Sequence, residues 1–173
     1  MKELILGGIR SGKSRLAEQR ARETGHPVTY IATAVAADEE MRARIAAHRM
    51  RRPDSWTVIE EPRALAAVLS AHAAPGRCLV VECLTLWLTN LLLDENPNVL
   101  AAQRSALLTH LPELPGHVIF VANETGMGIV PAVALARRFC DEAGQLHQAI
   151  AAHCDRVILC VSGLPCLLKG KQS

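Results

Sequence analysis

Aromatic side chains are scarce: Phe120, Phe139, Tyr30, Trp56 and Trp87 are the only five in 173 residues. Single-stranded nucleic acid is held by stacked rings along a basic groove. This chain also lacks a basic block, and its formal net charge is only +2. No nucleic-acid partner is expected. Long apolar runs are missing too. The hydrophobic stretches are too short or too interrupted to cross a bilayer, so no integral membrane segment is expected. No leader peptide is recognisable, because a strand-like run and a glycine loop begin at once. A cytoplasmic location is the expectation. The six cysteines (Cys78, Cys83, Cys140, Cys154, Cys160, Cys166) contain no C-x-x-C pair, which argues against a zinc site. In a cytosolic chain they are expected to be reduced and partly buried. Internal repeats and Ser- or Gly-rich linkers are absent.

What is present reads as one layered domain over residues 1–173. Half of the residues are hydrophobic and 21% are charged, an ordinary balance for a globular protein with a sizeable core. Strands are predicted at Glu3–Leu6, Val28–Thr33, Trp56–Glu60, Cys78–Glu82, His117–Ala122 and Arg156–Val161. Runs such as "CLVVE", "VIFVA" and "VILCV" are apolar at successive positions, as in parallel strands covered on both faces. Helices are predicted at Lys13–Thr24, Asp38–Arg51, Arg63–Ala73, Leu84–Leu93, Val99–Leu111 and Pro131–Ala152. The alternation predicts an α/β fold, a mostly parallel sheet flanked by helices. "DENPN" and "HLPELPG" read as surface connections.

The stretch "LILGGIRSGKSRLAEQ" carries the strongest local signal. Gly7, Gly12, Lys13 and Ser14 fit G-x-x-x-x-G-K-[ST] between a strand and a helix, the context that the pattern requires. Glycine backbones let successive N–H groups of Gly8, Ile9, Arg10 and Ser11 turn inward around a phosphate. The helix that follows adds its positive end. Lys13 would reach the outer phosphates of a nucleotide such as ATP or GTP, and the Ser14 hydroxyl would ligate Mg²⁺. Ligands of open α/β sheets gather at the carboxyl ends of strands. Thr33, Glu82 and Asn123–Glu124 all close strands and point at that crevice. An acidic residue in the place of Glu82 suits a metal ion. In "NETGMGIVP", Gly126 and Gly128 form a loop after a strand. A substrate contact, a subunit contact and a plain turn are all open for it.

The segment "DEEMRARIAAHRMRRPDSW" is basic. Five arginines and His48 fall within the eleven residues Arg42 to Arg52. Asp38 suits an N-cap, and Pro53 ends the helix near Arg51. Spacing alone leaves two readings. Arg49, Arg51 and Arg52 could crowd a solvated helix end, favoured by its dipole. Alternatively, they bind phosphate beside a nucleophilic imidazole. Neighbouring arginines favour the neutral, nucleophilic form of that imidazole. The other six histidines lack such company.

Taken in order, "GGIRSGKS", "YIATA", "DEEMRARIAAHRMRRPDSWTVIEEP", "ECLTLWLTNLL" and "NETGMGIVP" closely resemble the bifunctional adenosylcobinamide kinase / adenosylcobinamide-phosphate guanylyltransferase family of cobalamin biosynthesis. The resemblance runs from Leu4 to about Leu168. It implies phosphorylation of adenosylcobinamide by ATP or GTP, then transfer of GMP from GTP through a guanylylated histidine. That histidine matches His48. A neighbouring position, where a second histidine can stand, is Ala47. The resemblance further implies nucleotide contacts at Gly7–Ser14, Thr33, Glu60 and Glu82, with Glu60 and Glu82 on the guanine nucleotide, and a homotrimer. Guanine offers two donors, N1–H and the 2-amino group, which suit a carboxylate; Glu82 could serve the metal instead. The alternatives are a P-loop small-molecule kinase with no transferase step, and a nucleotide-dependent switch. Against the switch, the chain has no N-K-x-D guanine motif.

Overall fold

The computed structural model describes residues 1–36, 38, 39, 42, 43, 45, 46, 50 and 53–171. Along the chain run β1 (Lys2–Gly7), α1 (Lys13–Glu23), β2 (Val28–Ala32), β3 (Thr57–Glu60), α2 (Leu65–His72), β4 (Cys78–Glu82), α3 (Leu84–Leu92), α4 (Val99–His110), a 3₁₀ turn (Leu111–Glu113), β5 (His117–Asn123), α5 (Ala134–His153), β6 (Arg156–Val161) and β7 (Leu164–Lys169). One seven-stranded sheet has the order β3-β2-β4-β5-β1-β6-β7. The first six strands are parallel, and β7 runs antiparallel to β6. Every parallel strand therefore ends at the same edge.

The apolar runs explain the layering. Side chains alternate across a strand, so Leu4 and Leu6 point to one face and Ile5 to the other. The first face packs Phe120, Val81 and Leu79 against Trp87, Leu88, Leu107 and Leu146 of α3, α4 and α5. The second packs Tyr30, Val80 and Ile119 against Ala17 and Ala21 of α1 and against Trp56. Small alanines let α1 lie close to the sheet. Among the described residues no helix is long and apolar enough to cross a membrane, and all six cysteines are free.

The six predicted strands are present. The predicted helix Asp38–Arg51 falls partly outside the described residues. Within it, the Arg42 N–H donates to the Asp38 carbonyl at 3.0 Å, a helical bond. The last predicted helix begins at Ala134 rather than Pro131. The seventh strand was not expected. It is an exposed edge strand carrying Pro165, and proline argues against a strand everywhere but at an edge. Its hairpin turn is Ser162–Gly163, with φ of 51° and 81°. Two positive φ values define a type I′ turn, which matches strand twist.

A buried ionic cluster ties the other edge together. Glu3 is fully buried. It accepts from Arg20 Nε at 2.5 Å and from the second guanidinium nitrogen at 3.0 Å. His117 Nε2 lies 2.9 Å away and Arg156 3.7 Å away. One carboxylate thus joins α1, β1, β5 and β6, about 13 Å along β1 from Gly7.

Candidate active site

The phosphate loop is held in shape before any ligand is considered. Gly7 is required by contact: a Cβ there would stand 2.4 Å from Ser11 Oγ and 2.5 Å from the Cys160 carbonyl. Gly12 is required by conformation, with φ of 96°. Arg10 also lies in the left-handed region, with φ of 56°. Alternating right- and left-handed residues turn consecutive N–H groups to one side, which makes a concavity for an anion. Ile9 and Arg10 are exposed at its lip, and Ser11 is buried with its Oγ unpartnered among the described residues. The β6–β7 hairpin braces the loop from behind. Cys160 Sγ and the Gly163 N–H both donate to the Ser11 carbonyl, at 3.0 and 2.8 Å. This bracing had no sequence signal, because it spans 149 residues.

Lys13 is 7% exposed, and its Nζ donates to the Gly8 carbonyl at 2.9 Å. Burial pulls its pKa below the ordinary lysine value, against the opposing field of Glu82. Phosphate oxygens would supply the counter-charge that burial withholds. Ser14 Oγ donates to Glu82 Oε1 at 2.7 Å. A hydroxyl and a carboxylate are therefore side by side at the base of the loop.

The strand ends are stitched to each other. Thr33 is fully buried. Its hydroxyl donates to the Cys83 carbonyl at 2.7 Å and accepts from the Cys83 N–H at 2.8 Å. Its own N–H donates to the Glu82 carbonyl. Its carbonyl accepts from Asn90 Nδ2 at 2.8 Å, and the same Nδ2 reaches the Pro62 carbonyl. Thr33, expected beside the nucleotide, thus has its polar groups engaged within the protein, where they set the spacing of β2 and β4. A cis peptide joins Glu82 to Cys83. Burial, with Glu82 adding to it, pushes the Cys83 thiol up to about 11, so it stays protonated and offers no nucleophile here. Glu60 is exposed at the end of β3. It and Glu82 both pair in register with Ala32, one from each side of β2. His48, Arg49, Arg51 and Arg52 lie outside the described residues. The chain leaves β2 for their segment at Thr33, from the same edge.

On β5, Asn123 pairs in register with Gly7. The Asn123 N–H donates to Thr85 Oγ1 at 2.7 Å, and the Glu124 N–H to the Gly7 carbonyl at 3.0 Å. Behind them, α5 presents a buried His147. Burial holds this imidazole below its ordinary value of 6.5, opposed by the charge of Glu124. The unfolded chain therefore gains a proton that the native state resists, so stability falls as pH drops through about 6.5. His147→Gln is expected to flatten that acid-side loss in urea titrations at about pH 7.5 and 5.5. An unchanged decline would show that His147 does not cause it.

A strand–loop–helix phosphate cradle at the carboxyl edge of a parallel sheet defines a P-loop nucleotide-binding protein of the α/β class. The fold resembles that of the RadB recombinase (TM-score 0.50, 17% identity, 91% of this chain and 73% of that one). The profile of the family described as cobinamide kinase / cobinamide phosphate guanyltransferase matches residues 3–168, and the chain belongs to that family. It is 61% identical over 171 residues to the bifunctional adenosylcobalamin biosynthesis protein CobP of Pseudomonas aeruginosa, covering 99% of both chains. It is 38% identical to the bifunctional adenosylcobalamin biosynthesis protein CobU of Escherichia coli, covering 96% of this chain and 98% of that one.

Proposed function

We propose that this bifunctional enzyme runs both of its reactions on one nucleotide cradle. Adenosylcobinamide is phosphorylated first, by ATP or GTP, and GMP is transferred to that phosphate second, through His48. The observation that carries the proposal is the Lys13–Ser14–Glu82 group at the base of the loop, the one such cradle among the described residues.

In the kinase step the substrate hydroxyl oxygen attacks the γ-phosphorus. The bond to the β-phosphate oxygen breaks, and the nucleoside diphosphate leaves. Backbone N–H groups of Gly8 to Lys13 and the Lys13 ammonium hold the charge that spreads over the phosphates. In the transfer step a His48 ring nitrogen attacks the α-phosphorus of GTP, and pyrophosphate leaves. The phosphate oxygen of adenosylcobinamide phosphate then attacks the same phosphorus, the P–N bond breaks, and His48 is regenerated. Splitting one displacement into two is the use of a covalent nucleophile. Arg49, Arg51 and Arg52 are the cations offered to the phosphates of that step.

The oxygens of Ser14 and Glu82 fit Mg²⁺, which favours hard oxygen donors and keeps several waters and phosphate oxygens of its own. Among the described residues no group of three His, Cys, Asp or Glu side chains could hold a metal ion. That matches an ion arriving with its nucleotide. When bound, the ion neutralises phosphate charge. The Ser14–Glu82 contact supports reading Glu82 on the metal side, and Glu60 is then the carboxylate proposed for the guanine, whose two adjacent donors it would match. The homotrimer and the cytoplasmic setting remain parts of the same proposal.

Ser14→Ala tests the shared cradle. Both steps are expected to slow together, by about 10- to 100-fold, with partial recovery at high Mg²⁺. Separate assays starting from adenosylcobinamide and from its phosphate would read this. Loss of one step alone would contradict a common site.

A further inference from the structure

Glu60 on β3, Glu82 on β4 and Glu124 just beyond β5 stand at the carboxyl edge of the sheet; Glu61, just beyond β3, is turned to the N–H groups of Arg63 and Ala64, which donate to its Oε1. Their distances from the phosphate loop differ. β3 is four strands from β1 in the sheet order, about 19 Å at about 4.8 Å per strand. β5 is the immediate neighbour of β1. Glu82 is engaged by Ser14. Glu124 is anchored to the loop itself, through its N–H on the Gly7 carbonyl. Its Oε1 accepts from the Gly126 N–H at 2.6 Å, which fixes the direction of the carboxylate. Among the described residues Oε2 takes part in no hydrogen bond, and the side chain is half-buried.

We propose that Glu124 is the catalytic base of the kinase step, accepting the proton of the hydroxyl that attacks the γ-phosphorus. The proposal rests on the two-step reading above. As the oxygen–phosphorus bond forms, the hydroxyl proton passes to Glu124 Oε2. The nucleoside diphosphate leaves, and the proton is lost to water after product release. An alcohol is a poor nucleophile until its proton is taken, and a positioned carboxylate contributes about 10²–10⁴-fold. The second step has no such need, because its acceptor is already a phosphate anion. Glu124 therefore serves one of the two reactions sharing the cradle.

Glu124→Gln separates this role from loop shaping, since glutamine keeps an oxygen for the Gly126 N–H and loses only basicity. The kinase kcat with adenosylcobinamide and ATP is expected to fall at least about 100-fold, with KM within about threefold. GMP transfer to adenosylcobinamide phosphate is expected to stay within about twofold of wild type on the same grounds. A kinase kcat for Glu124→Gln near wild type, with Glu124→Ala impaired in both steps, would overturn the proposal and leave Glu124 a loop-shaping residue. Equal loss of both steps in Glu124→Gln would overturn it as well. A wild-type protein that phosphorylates no cobinamide would instead refute the reading on which it rests.

Discussion

His48→Ala is expected to leave phosphorylation of adenosylcobinamide within about threefold of wild type and to lower formation of adenosylcobinamide-GDP at least about 10³-fold. The kinase step as proposed uses the loop, Lys13 and the Ser14–Glu82 pair, none of which is in the His48 segment. Cys83, a thiol beside the crevice, is a poor replacement nucleophile, because burial holds it protonated. Alanine also stands at position 47, where a second histidine could have substituted. The variant should therefore accumulate the phosphate intermediate, visible by chromatography of the corrinoid products. Persistent formation of the GDP product would remove His48 from the mechanism. A parallel loss of both activities would mean that the basic segment is needed to hold nucleotide in either step.

The second large effect is on stability. Glu3→Gln removes the only negative charge in the described cluster with Arg20, His117 and Arg156. Its side chain is fully buried, and Arg20 and Arg156 are 17% and 10% exposed. Removing one partner of a buried ion pair leaves the other uncompensated, at a cost of about 3–5 kcal/mol. For a chain of this length that lowers Tm by on the order of 10 °C. Calorimetry of the two proteins would show it, with kinase activity at 25 °C retained as the control that the carboxyl edge is intact. A shift under about 2 °C would mean that solvent reaches the cluster and stabilises the cations alone.

The parallel core was readable because burial on both faces forces unbroken apolar runs, and "CLVVE" and "HVIFVAN" could hardly be surface. β7 was not, since an edge strand exposes most of its length and Pro165 spoils the pattern. The turn Ser162–Gly163 was the available signal, a short polar pair between two apolar runs. The phosphate loop was readable because its parts are contiguous. Its supports were not. Thr33 with Cys83, Cys160 with Ser11, and Glu3 with Arg20 join residues far apart in sequence, and nothing in a linear pattern pairs them. Glu82 lay between. Its place at a strand end was visible, but its 2.7 Å contact with Ser14, 68 residues away, was not.

The most direct measurement is incubation of the protein with Mg²⁺ and GTP labelled at the α-phosphate, followed by digestion at alkaline pH. Trypsin releases Ile45–Arg49, "IAAHR", in which His48 is the one nucleophilic side chain. The expected result is an acid-labile, base-stable label on that peptide, absent in His48→Ala and reduced in Lys13→Ala. A wild-type protein that forms adenosylcobinamide-GDP but carries no label, or carries it on another peptide, would contradict a covalent route through His48.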